Sequence, residues 1–287
     1  MKHEALYYSV ENGRIRCLLC PHRCSIKDNE LGFCLARRRE GNKLFSENYG
    51  ILTALNLDPV EKKPLYMYKP KSKILSAGSF GCNFKCGFCQ NSGISQHYLP
   101  GEYTSPEKLA EMAYGLRSSG NIGIAYTYNE PTVMYEYVLD TAKLLKERYS
   151  MDNILVTNGY INEEPLRELL VYVDAANVDF KSFDPGFYKK QCKGSIEDVK
   201  RNLVIFNENC HLEVTTLLIG GYNDSPREIE QISRFIASVS EDIPFHISRF
   251  YPSYLFKNEH PTPLDVMYEA ERIALRYLKN VFLGNMP

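Results

Sequence analysis

The chain has 287 residues, of which 44% are hydrophobic and 24% are charged, and its formal net charge at pH 7 is -1. These values lie close to the averages of globular proteins, so they argue against a nucleic-acid-binding surface and a disordered acidic tail. The sequence has neither a basic start followed by an apolar run nor a continuous apolar window of about 18 residues. We therefore expect a cytoplasmic protein that does not contact a membrane.

Residues 1–72 follow no regular alternation of strands and helices, and we expect them to form a small cysteine-rich cap. Residues 73–287 are predicted to form a second domain. There, short runs of β-branched and apolar residues alternate with segments of helical periodicity. The predicted strands span residues 74–76, 122–126, 154–156, 175–180, 212–218, 245–250 and 281–283.

Helix-start signals lie between these strands. Ser105 precedes a proline at the start of one helix, and Ser195 precedes another helix. Ser225 and Glu228 have the spacing of a capping box, and Thr262 precedes the proline that opens the last helix. Strict alternation of strands and helices predicts an α/β fold, a partial (β/α)6-type TIM-like barrel with the cysteine-rich cap at its N-terminal side.

Polar residues and cysteines collect where the predicted strands end, which is where (β/α) barrels place their active sites. They are Cys82 after the first strand, Asn129 and Glu130 after the second, Thr157 and Asn158 after the third, Asp179 and Lys181 at the end of the fourth, and Ser248 and Arg249 in the sixth. On the fifth strand, Glu213 and Thr215 share one face and are candidates for substrate contact, unless that face points at polar helix side chains. His246 is expected to be a core residue.

Seven of the nine cysteines form two tight groups, which in a reducing compartment indicates metal or redox chemistry rather than disulfides. Cys82, Cys86 and Cys89 have C-x3-C-x2-C spacing. Thiolates are the usual ligands of iron–sulfur clusters, and a 4Fe–4S cluster normally takes four, so three leave one iron open. The alternative is a zinc site completed by a distant fourth ligand, but zinc motifs usually come as paired C-x2-C arms.

The second group, Cys17, Cys20, Cys24 and Cys34, offers four soft ligands close together. It is predicted to hold either a structural zinc ion or an auxiliary iron–sulfur cluster, and free thiols are the third alternative. The remaining cysteines, Cys192 and Cys210, are isolated in the sequence and are expected to be inert buried thiols.

The segment Cys82-x3-Cys86-x-Phe88-Cys89 resembles the signature of the radical S-adenosylmethionine (SAM) superfamily. More narrowly, the chain resembles the branch related to pyruvate formate-lyase activating enzymes, and within it the radical enzyme of the AmmeMemoRadiSam system. Three departures from that pattern stand out: Gly220 replaces a usual proline, Met67 a common histidine, and no tryptophan follows Asn91. The matching stretches are residues 17–24, 58–65, 126–132, 156–160, 179–182 and 283–287.

The resemblance implies roles for individual residues around SAM. Glu130, next to Asn129, would receive the methionyl amino group, although it could instead only begin a helix. Lys181, in the Asp179-x-Lys181 segment, would meet the methionyl carboxylate. Contacts to the nucleoside are implied for four further residues, each with a plain turn or strand-end role as its alternative: Thr157 and Asn158 at the ribose, and Phe88 and Ile219 at the adenine.

The resemblance also implies a 4Fe–4S cluster, SAM as cosubstrate, and an electron donor such as flavodoxin or ferredoxin. Its genomic namesakes, AMMECR-like and Memo-like proteins, are the implied partners. The leading hypothesis is an enzyme that cleaves SAM reductively to a 5'-deoxyadenosyl radical, which abstracts hydrogen from an unknown substrate. Two alternatives stay open: an activating enzyme for a glycyl radical enzyme, and a non-catalytic metal-binding scaffold.

Overall fold

The computed structural model describes residues 2–11 and 13–287, and its strands form one sheet of eight and two sheets of three. In chain order the strands are β1 (His3–Glu4), β2 (Tyr8–Glu11), β3 (Arg14–Cys17), β4 (Ser25–Ile26), β5 (Arg37–Glu40), β6 (Lys43–Ser46), β7 (Ala54–Pro59), β8 (Lys73–Gly78), β9 (Asn121–Tyr126), β10 (Asp152–Thr157), β11 (Ala175–Asp179), β12 (His211–Leu218), β13 (Phe245–Arg249) and β14 (Val281–Gly284).

Helices connect the strands of the large sheet, and among the described residues none is long and apolar enough to cross a bilayer. The α-helices are α1 (Ser92–Ser95), α2 (Pro106–Gly115), α3 (Tyr135–Leu144), α4 (Glu163–Leu170), α5 (Pro185–Phe187), α6 (Ile196–Asn209), α7 (Pro226–Val239) and α8 (Leu264–Ala274). Single turns of 3-10 helix lie at Val60–Lys62, Arg117–Ser119, Pro131–Met134 and Tyr254–Phe256, and π turns at Leu145–Tyr149 and Tyr188–Cys192.

The eight-stranded sheet runs from β7 to β14, and each strand pairs with its neighbour in the chain. Strands β8 to β14 are parallel, as the alternation with helices predicts. β8 is buried along five of its six residues, because helices cover one face and the barrel interior the other. No pairing joins β7 to β14 within the described ranges, so the predicted partial barrel is confirmed.

β7 is an additional strand that lies within the predicted cap. It pairs antiparallel with β8 from Ala54 opposite Gly78 to Pro59 opposite Lys73. Leu55 and Leu57 alternate with polar residues as a strand requires, but the segment ends in aspartate and proline, which strands disfavour. This local sequence therefore hides an edge strand of the barrel. The division of the chain at residue 72 stays a prediction.

The cap consists of two antiparallel sheets, β2-β3-β4 and β1-β6-β5. Few of its residues are both apolar and buried, and the core is small for this length of chain: Ala5, Ile15, Cys17, Leu19, Ile26, Ala36 and Leu44. A buried ion pair joins the cap to the barrel, since Arg37 Nη2 lies 2.7 Å from Glu136 Oε1 on α3. The cap is thus packed on the barrel through a charge pair as well as apolar contacts.

Helix starts follow the predicted signals with two corrections. The hydroxyls of Ser105 and Ser225 accept bonds from the backbone N–H groups three residues later, and the helix after Ser195 starts without a side-chain cap. The Glu228 carboxylate does not close a capping box, because it accepts from Ser182 and from the backbone of residues 183 and 184. Thr262 does not cap α8 either, since its hydroxyl donates to the Leu218 carbonyl.

At the amino end of the barrel, Glu213 is fully buried at the start of β12. It accepts bonds from the rings of His211 and His246 at 2.9 and 2.6 Å, and from the backbone N–H groups of Tyr66 and Met67. Burial alone would raise the pKa of Glu213, but these four donors outweigh it and lower the pKa to about 2. The carboxylate thus holds the backbone of residues 66–67 at this end of the barrel. The predicted substrate contact of Glu213 is therefore wrong, and its buried charge has a structural role.

Replacing Glu213 by glutamine removes this charge while keeping the side-chain size. We expect the free energy of unfolding at pH 7 to fall by about 2–4 kcal/mol, because buried donors lose a charged acceptor. The pKa is lowered from 4.5 to about 2, so the contribution is present above pH 4.5 and lost as the pH falls towards 2. Urea denaturation should therefore show the difference between the two chains narrowing below pH 4.5. A difference in unfolding free energy that does not change with pH would contradict this role. So would an equal loss of unfolding free energy in Glu197→Gln, the control at an exposed site.

Candidate active site at the carboxyl ends of the strands

A cavity of about 360 Å³ opens at the carboxyl ends of the barrel strands. Ile219 is not among the described residues of its wall; it is buried in the turn after β12, where its N–H donates to Asn223. The other residues predicted to bind the cluster or SAM line the cavity: Cys82, Cys86, Phe88, Cys89, Asn129, Glu130, Thr157, Asn158, Asp179 and Lys181. Of the further strand-end candidates, Thr215 and Ser248 line it as well, whereas Glu213 and Arg249 are not among the described residues of its wall. Residues spread over 100 positions of sequence thus meet at one edge of the sheet, as the parallel topology requires.

The three-cysteine loop, residues 82–89, leaves β8 through a tightly packed turn. Gly81 has a φ of +86°, and a Cβ at this position would lie 2.5 Å from the Cys34 carbonyl oxygen, so a side chain is excluded. The side chain of Asn129 holds the same turn. Its Oδ1 accepts from Ser79 N at 2.9 Å, and its Nδ2 donates to the carbonyl groups of residues 80 and 81. The approach to the cysteines is therefore fixed by backbone contacts.

Cys86 is buried, and Cys82 and Cys89 are half-buried. Cys82 Sγ accepts from Phe84 N at 3.3 Å, and Cys89 Sγ lies 3.2 Å from Ser95 Oγ. Burial raises the pKa of Cys82 and of Cys89, and a hydrogen bond with Cys192 together with burial raises that of Cys86. A nearby positive charge is needed to hold these groups as thiolates, and iron supplies one.

This donor set fits a 4Fe–4S cluster. Each thiolate of such a cluster binds a different iron, so the three sulfurs need not converge on one point. In agreement, no three His, Cys, Asp or Glu side chains of the described residues are close enough to bind a single metal ion. Cys82, Cys86 and Cys89 would hold three irons and leave the fourth without a protein ligand.

Glu130 is the buried centre of the hydrogen bonds beside this loop. Its Oε1 accepts from Thr132 N, Thr132 Oγ1 and Thr157 Oγ1 at 3.0, 2.8 and 2.7 Å, and its Oε2 accepts from Asn158 N at 2.8 Å. Burial raises the pKa of Glu130, while these donors oppose the rise. Glu130 also precedes the 3-10 turn at Pro131–Met134 as its N-cap, which is the structural role anticipated as the alternative.

Asn158 continues this network towards the cysteines. Its Nδ2 donates to Asn83 Oδ1 at 2.8 Å and lies 3.8 Å from Cys82 Sγ, while its Oδ1 accepts from Tyr160 N. Asn129, Glu130, Thr157 and Asn158 therefore brace one another and the cysteine loop. The spacing of these residues in the sequence does not distinguish hydrogen bonds that support the cysteine loop from contacts with a ligand.

A pair of charges at the end of β11 lines the same cavity. Lys181 Nζ is 2.9 Å from Asp179 Oδ2 and 6.0 Å from the centre of the Phe88 ring. Burial would lower the pKa of Lys181, but the Asp179 carboxylate and the Cys86 thiol raise it well above its usual value. The site therefore keeps a positive charge beside the cysteine loop, near the ring of Phe88.

Comparison with known proteins agrees with this geometry, since residues 78–236 match the radical SAM superfamily. The chain belongs to the radical SAM superfamily. The matched segment begins at the end of β8 and runs through α7, and it contains the cysteine loop and the opposing charges.

Two relatives by sequence and one solved structure show which proteins this radical SAM enzyme resembles. MJ0808, an uncharacterised Methanocaldococcus jannaschii protein, is 37% identical over 100% of this chain and 86% of its own. The 4-hydroxyphenylacetate decarboxylase activating enzyme of Clostridium scatologenes is 27% identical over 53% of this chain and 50% of its own length. A solved domain of pyruvate-formate lyase-activating enzyme from Bacteroides vulgatus has a TM-score of 0.50 at 18% identity, covering 56% of this chain and 98% of that domain, and shows the fold.

Residues to which the sequence analysis gave no role also line this cavity. Lys62 and Pro64 reach it from the segment after β7, and Tyr128 lines it with a left-handed backbone, φ 71°. The Tyr128 hydroxyl donates to Asp58 at 2.8 Å, and the buried Lys63 ammonium donates to the same carboxylate at 2.9 Å. These residues lie in the family-like stretches 58–65 and 126–132, in which none of them had an assigned role.

We expect Asn129→Ala to loosen the cysteine loop of this radical SAM enzyme. The substitution removes the Asn129 bonds to Ser79 N and the Gly81 carbonyl, at a cost of about 1–3 kcal/mol for an unsatisfied group, while the Phe80 carbonyl keeps its bond from Asn48 Nδ2. Anaerobically purified protein should show a lower melting temperature and less iron per chain than wild type. Asn209→Ala, at the exposed end of α6, is the matched control. Equal iron content and melting temperature in the two variants would contradict the bracing role.

Proposed function

We propose that this enzyme binds a 4Fe–4S cluster through Cys82, Cys86 and Cys89 and cleaves SAM reductively in the 360 Å³ cavity. When bound, the cluster supplies the electron that breaks a C–S bond of the sulfonium, which gives methionine and a 5'-deoxyadenosyl radical. The radical then abstracts hydrogen from a substrate. The observation that carries this proposal is the convergence of three cysteines and one lysine–aspartate pair on a single cavity in a radical SAM fold.

The cavity residues divide into two groups. Lys181 supplies a positive charge for the methionyl carboxylate of SAM. Asp179 orients the ammonium group of Lys181 through the 2.9 Å contact between Oδ2 and Nζ. Phe88 lies beside that charge and is proposed to border the adenine, as is Ile219 from the turn behind the wall. The second group, Asn129, Glu130, Thr157 and Asn158, is proposed to meet the amino group and the ribose, and it also positions the cysteine loop.

The hydrogen donor is proposed to be a small molecule handled together with AMMECR-like and Memo-like proteins in the cytoplasm. A low-potential electron donor such as flavodoxin or ferredoxin would reduce the cluster. Similarity to an activating enzyme supports a second candidate, abstraction from a backbone glycine of a partner enzyme. The four N-terminal cysteines are proposed to bind metal, as zinc or a second iron–sulfur cluster.

The direct test is anaerobic incubation with dithionite and SAM, followed by quantification of 5'-deoxyadenosine and methionine. We expect both products in equal amounts from wild type, and none above background from Cys86→Ala. Cys210→Ala, an isolated cysteine at the opposite end of the barrel, should leave the products unchanged. If Cys86→Ala and wild type form equal amounts of 5'-deoxyadenosine, the proposed function is lost.

A second prediction concerns SAM affinity. Lys181→Met removes a charge-assisted contact of about 1.5–3 kcal/mol, so we expect the dissociation constant of SAM to rise by about 10- to 100-fold. Lys181→Arg should retain most of the affinity because it keeps the charge. Equilibrium dialysis with labelled SAM on cluster-loaded protein gives the constants, and exposed Lys189→Met is the matched control. Unchanged affinity in Lys181→Met would remove the carboxylate role from this residue.

A further inference from the structure

The 3-10 turn after β13 packs on the three-cysteine loop. Leu255 N donates to the Gly87 carbonyl at 2.9 Å, and Ser253 Oγ donates to the Cys89 carbonyl at 3.2 Å. A Cβ at Gly87 would lie 2.8 Å from the Phe256 ring, so a side chain there would push the turn away. The turn is not among the described residues of the active-site cavity wall. It therefore meets the cysteine loop outside that cavity.

The π turn at Tyr188–Cys192 packs on the same loop, and its last carbonyl accepts from Lys85 N at 2.9 Å. The Phe88 ring of the loop lies 5.8 Å from the rings of both Phe187 and Phe256, so the two turns flank one residue. We call the exposed residues of these two segments the cysteine-loop surface: Lys189, Lys190, Lys193, Tyr254, Leu255 and Lys257.

The cysteine-loop surface is basic. Residues 187–193 and 253–259 contain four lysines and one acid, whereas the whole chain has a net charge of -1. In the described part of the chain, none of these four lysines forms an ion pair. The acids nearby in the chain have their own partners, which are Tyr222 for Glu259, Lys200 for Glu197, Arg201 for Asp198, and the N–H groups of residues 186 and 187 for Asp184. The charge of this surface therefore suits an acidic partner.

The same surface exposes apolar side chains. Leu255 is 70% exposed and Tyr254 is 40% exposed. Tyr254 also has a φ of 50°, a left-handed backbone conformation that bulky residues rarely adopt. Burial of its own side chain does not offset that strain, and strained residues concentrate at functional sites. Exposed apolar residues bordered by charged ones mark surfaces at which proteins bind.

We propose that the cysteine-loop surface is the docking site of the electron donor, a small acidic flavoprotein whose flavin edge is exposed. The inference rests on the proposed function, since only a cluster at the three-cysteine loop needs an electron there. The lysines attract the acidic partner, and the apolar edge of the flavin packs on Tyr254 and Leu255. The reduced flavin, a monoanion, loses one electron to the cluster and becomes neutral, so no proton moves.

The position of the surface favours this occupant over a substrate. None of its six residues is among the described residues of the cavity wall, so a molecule held in the cavity does not contact it. Leu255 bonds to Gly87, which lies between Cys86 and Cys89 in the chain, so a donor docked there is close to two cluster ligands. Transient electron-transfer complexes typically bury less than about 1,200 Å², so a small surface is sufficient.

The test measures the binding of oxidised flavodoxin, an acidic flavoprotein, to the cluster-loaded full chain by anaerobic calorimetric titration. The docking variant combines Lys189→Glu, Lys190→Glu and Lys193→Glu. We expect it to raise the dissociation constant by about 10-fold or more at low ionic strength, and less at high ionic strength, because salt screens these charges. Leu255→Ser should weaken binding at both ionic strengths, since it removes apolar contact.

The matched control variant reverses three exposed lysines elsewhere, Lys73→Glu with Lys108→Glu and Lys143→Glu, and should bind flavodoxin as tightly as wild type. With reduced flavodoxin as the donor, formation of 5'-deoxyadenosine should fall in the docking variant. With dithionite, a small reductant that needs no docking site, it should stay at the wild-type level. Because cleavage with dithionite reports the proposed function alone, failure of that function and failure of the docking proposal are distinguishable.

Equal dissociation constants in the docking and control variants would overturn the proposal. So would a wild-type chain that binds an acidic ferredoxin but not flavodoxin. A loss of dithionite-driven cleavage in the docking variant would also overturn it, because the lysines would then act on folding or on SAM. Self-association of wild type that sedimentation shows to be lost in the docking variant would assign the surface to a second copy of this chain instead.

Discussion

The buried carboxylate of Glu130 is the interaction on which the geometry of the active site depends. A charge with 2% exposure is costly unless hydrogen bonds replace its water, and Glu130 receives four of them from residues 132, 157 and 158. These donors come from two different strand ends, so the carboxylate fixes the spacing of β9 and β10 at the rim. Asn158 then transmits that position to Asn83 in the cysteine loop. The ends of β9 and β10 and the cysteine loop are thereby held in fixed positions relative to one another.

The cap and the barrel are joined around the same unit. The Arg37–Glu136 pair is buried on both sides, and Glu136 Oε1 also accepts from Leu6 N at 2.8 Å. A buried pair of this kind contributes little net stability but strongly disfavours arrangements that break it. It therefore specifies how the cap docks. That docking brings the Cys34 carbonyl to Cys82 N, so the position of one set of thiols depends on the other.

The sequence was sufficient for the barrel and for the identity of the cysteine loop, because both have strong local signals. Alternating runs located β9 to β14, and the C-x3-C-x2-C spacing located three cysteines that line the cavity. Two things had no local signal. β7 ends in aspartate and proline, so only its pairing with β8 reveals it. Glu213 has the pattern of an inward catalytic residue, and only the three-dimensional contacts show that it binds residues 66–67 at the amino end.

The structure also shows where two departures from the family pattern lie relative to the cavity. Residues 62–67 cross the barrel: Lys62 and Pro64 line the active-site cavity, Leu65 is fully buried, and Met67 lies at the amino end. Met67 is 51% exposed and is not among the described residues of the cavity wall, so the position of the replaced histidine lies outside this cavity. The missing tryptophan is different, because Ser92 occupies its place directly after Asn91, and Asn91 lines the cavity. Of these two replaced positions, only the one after Asn91 therefore adjoins a residue of the cavity wall.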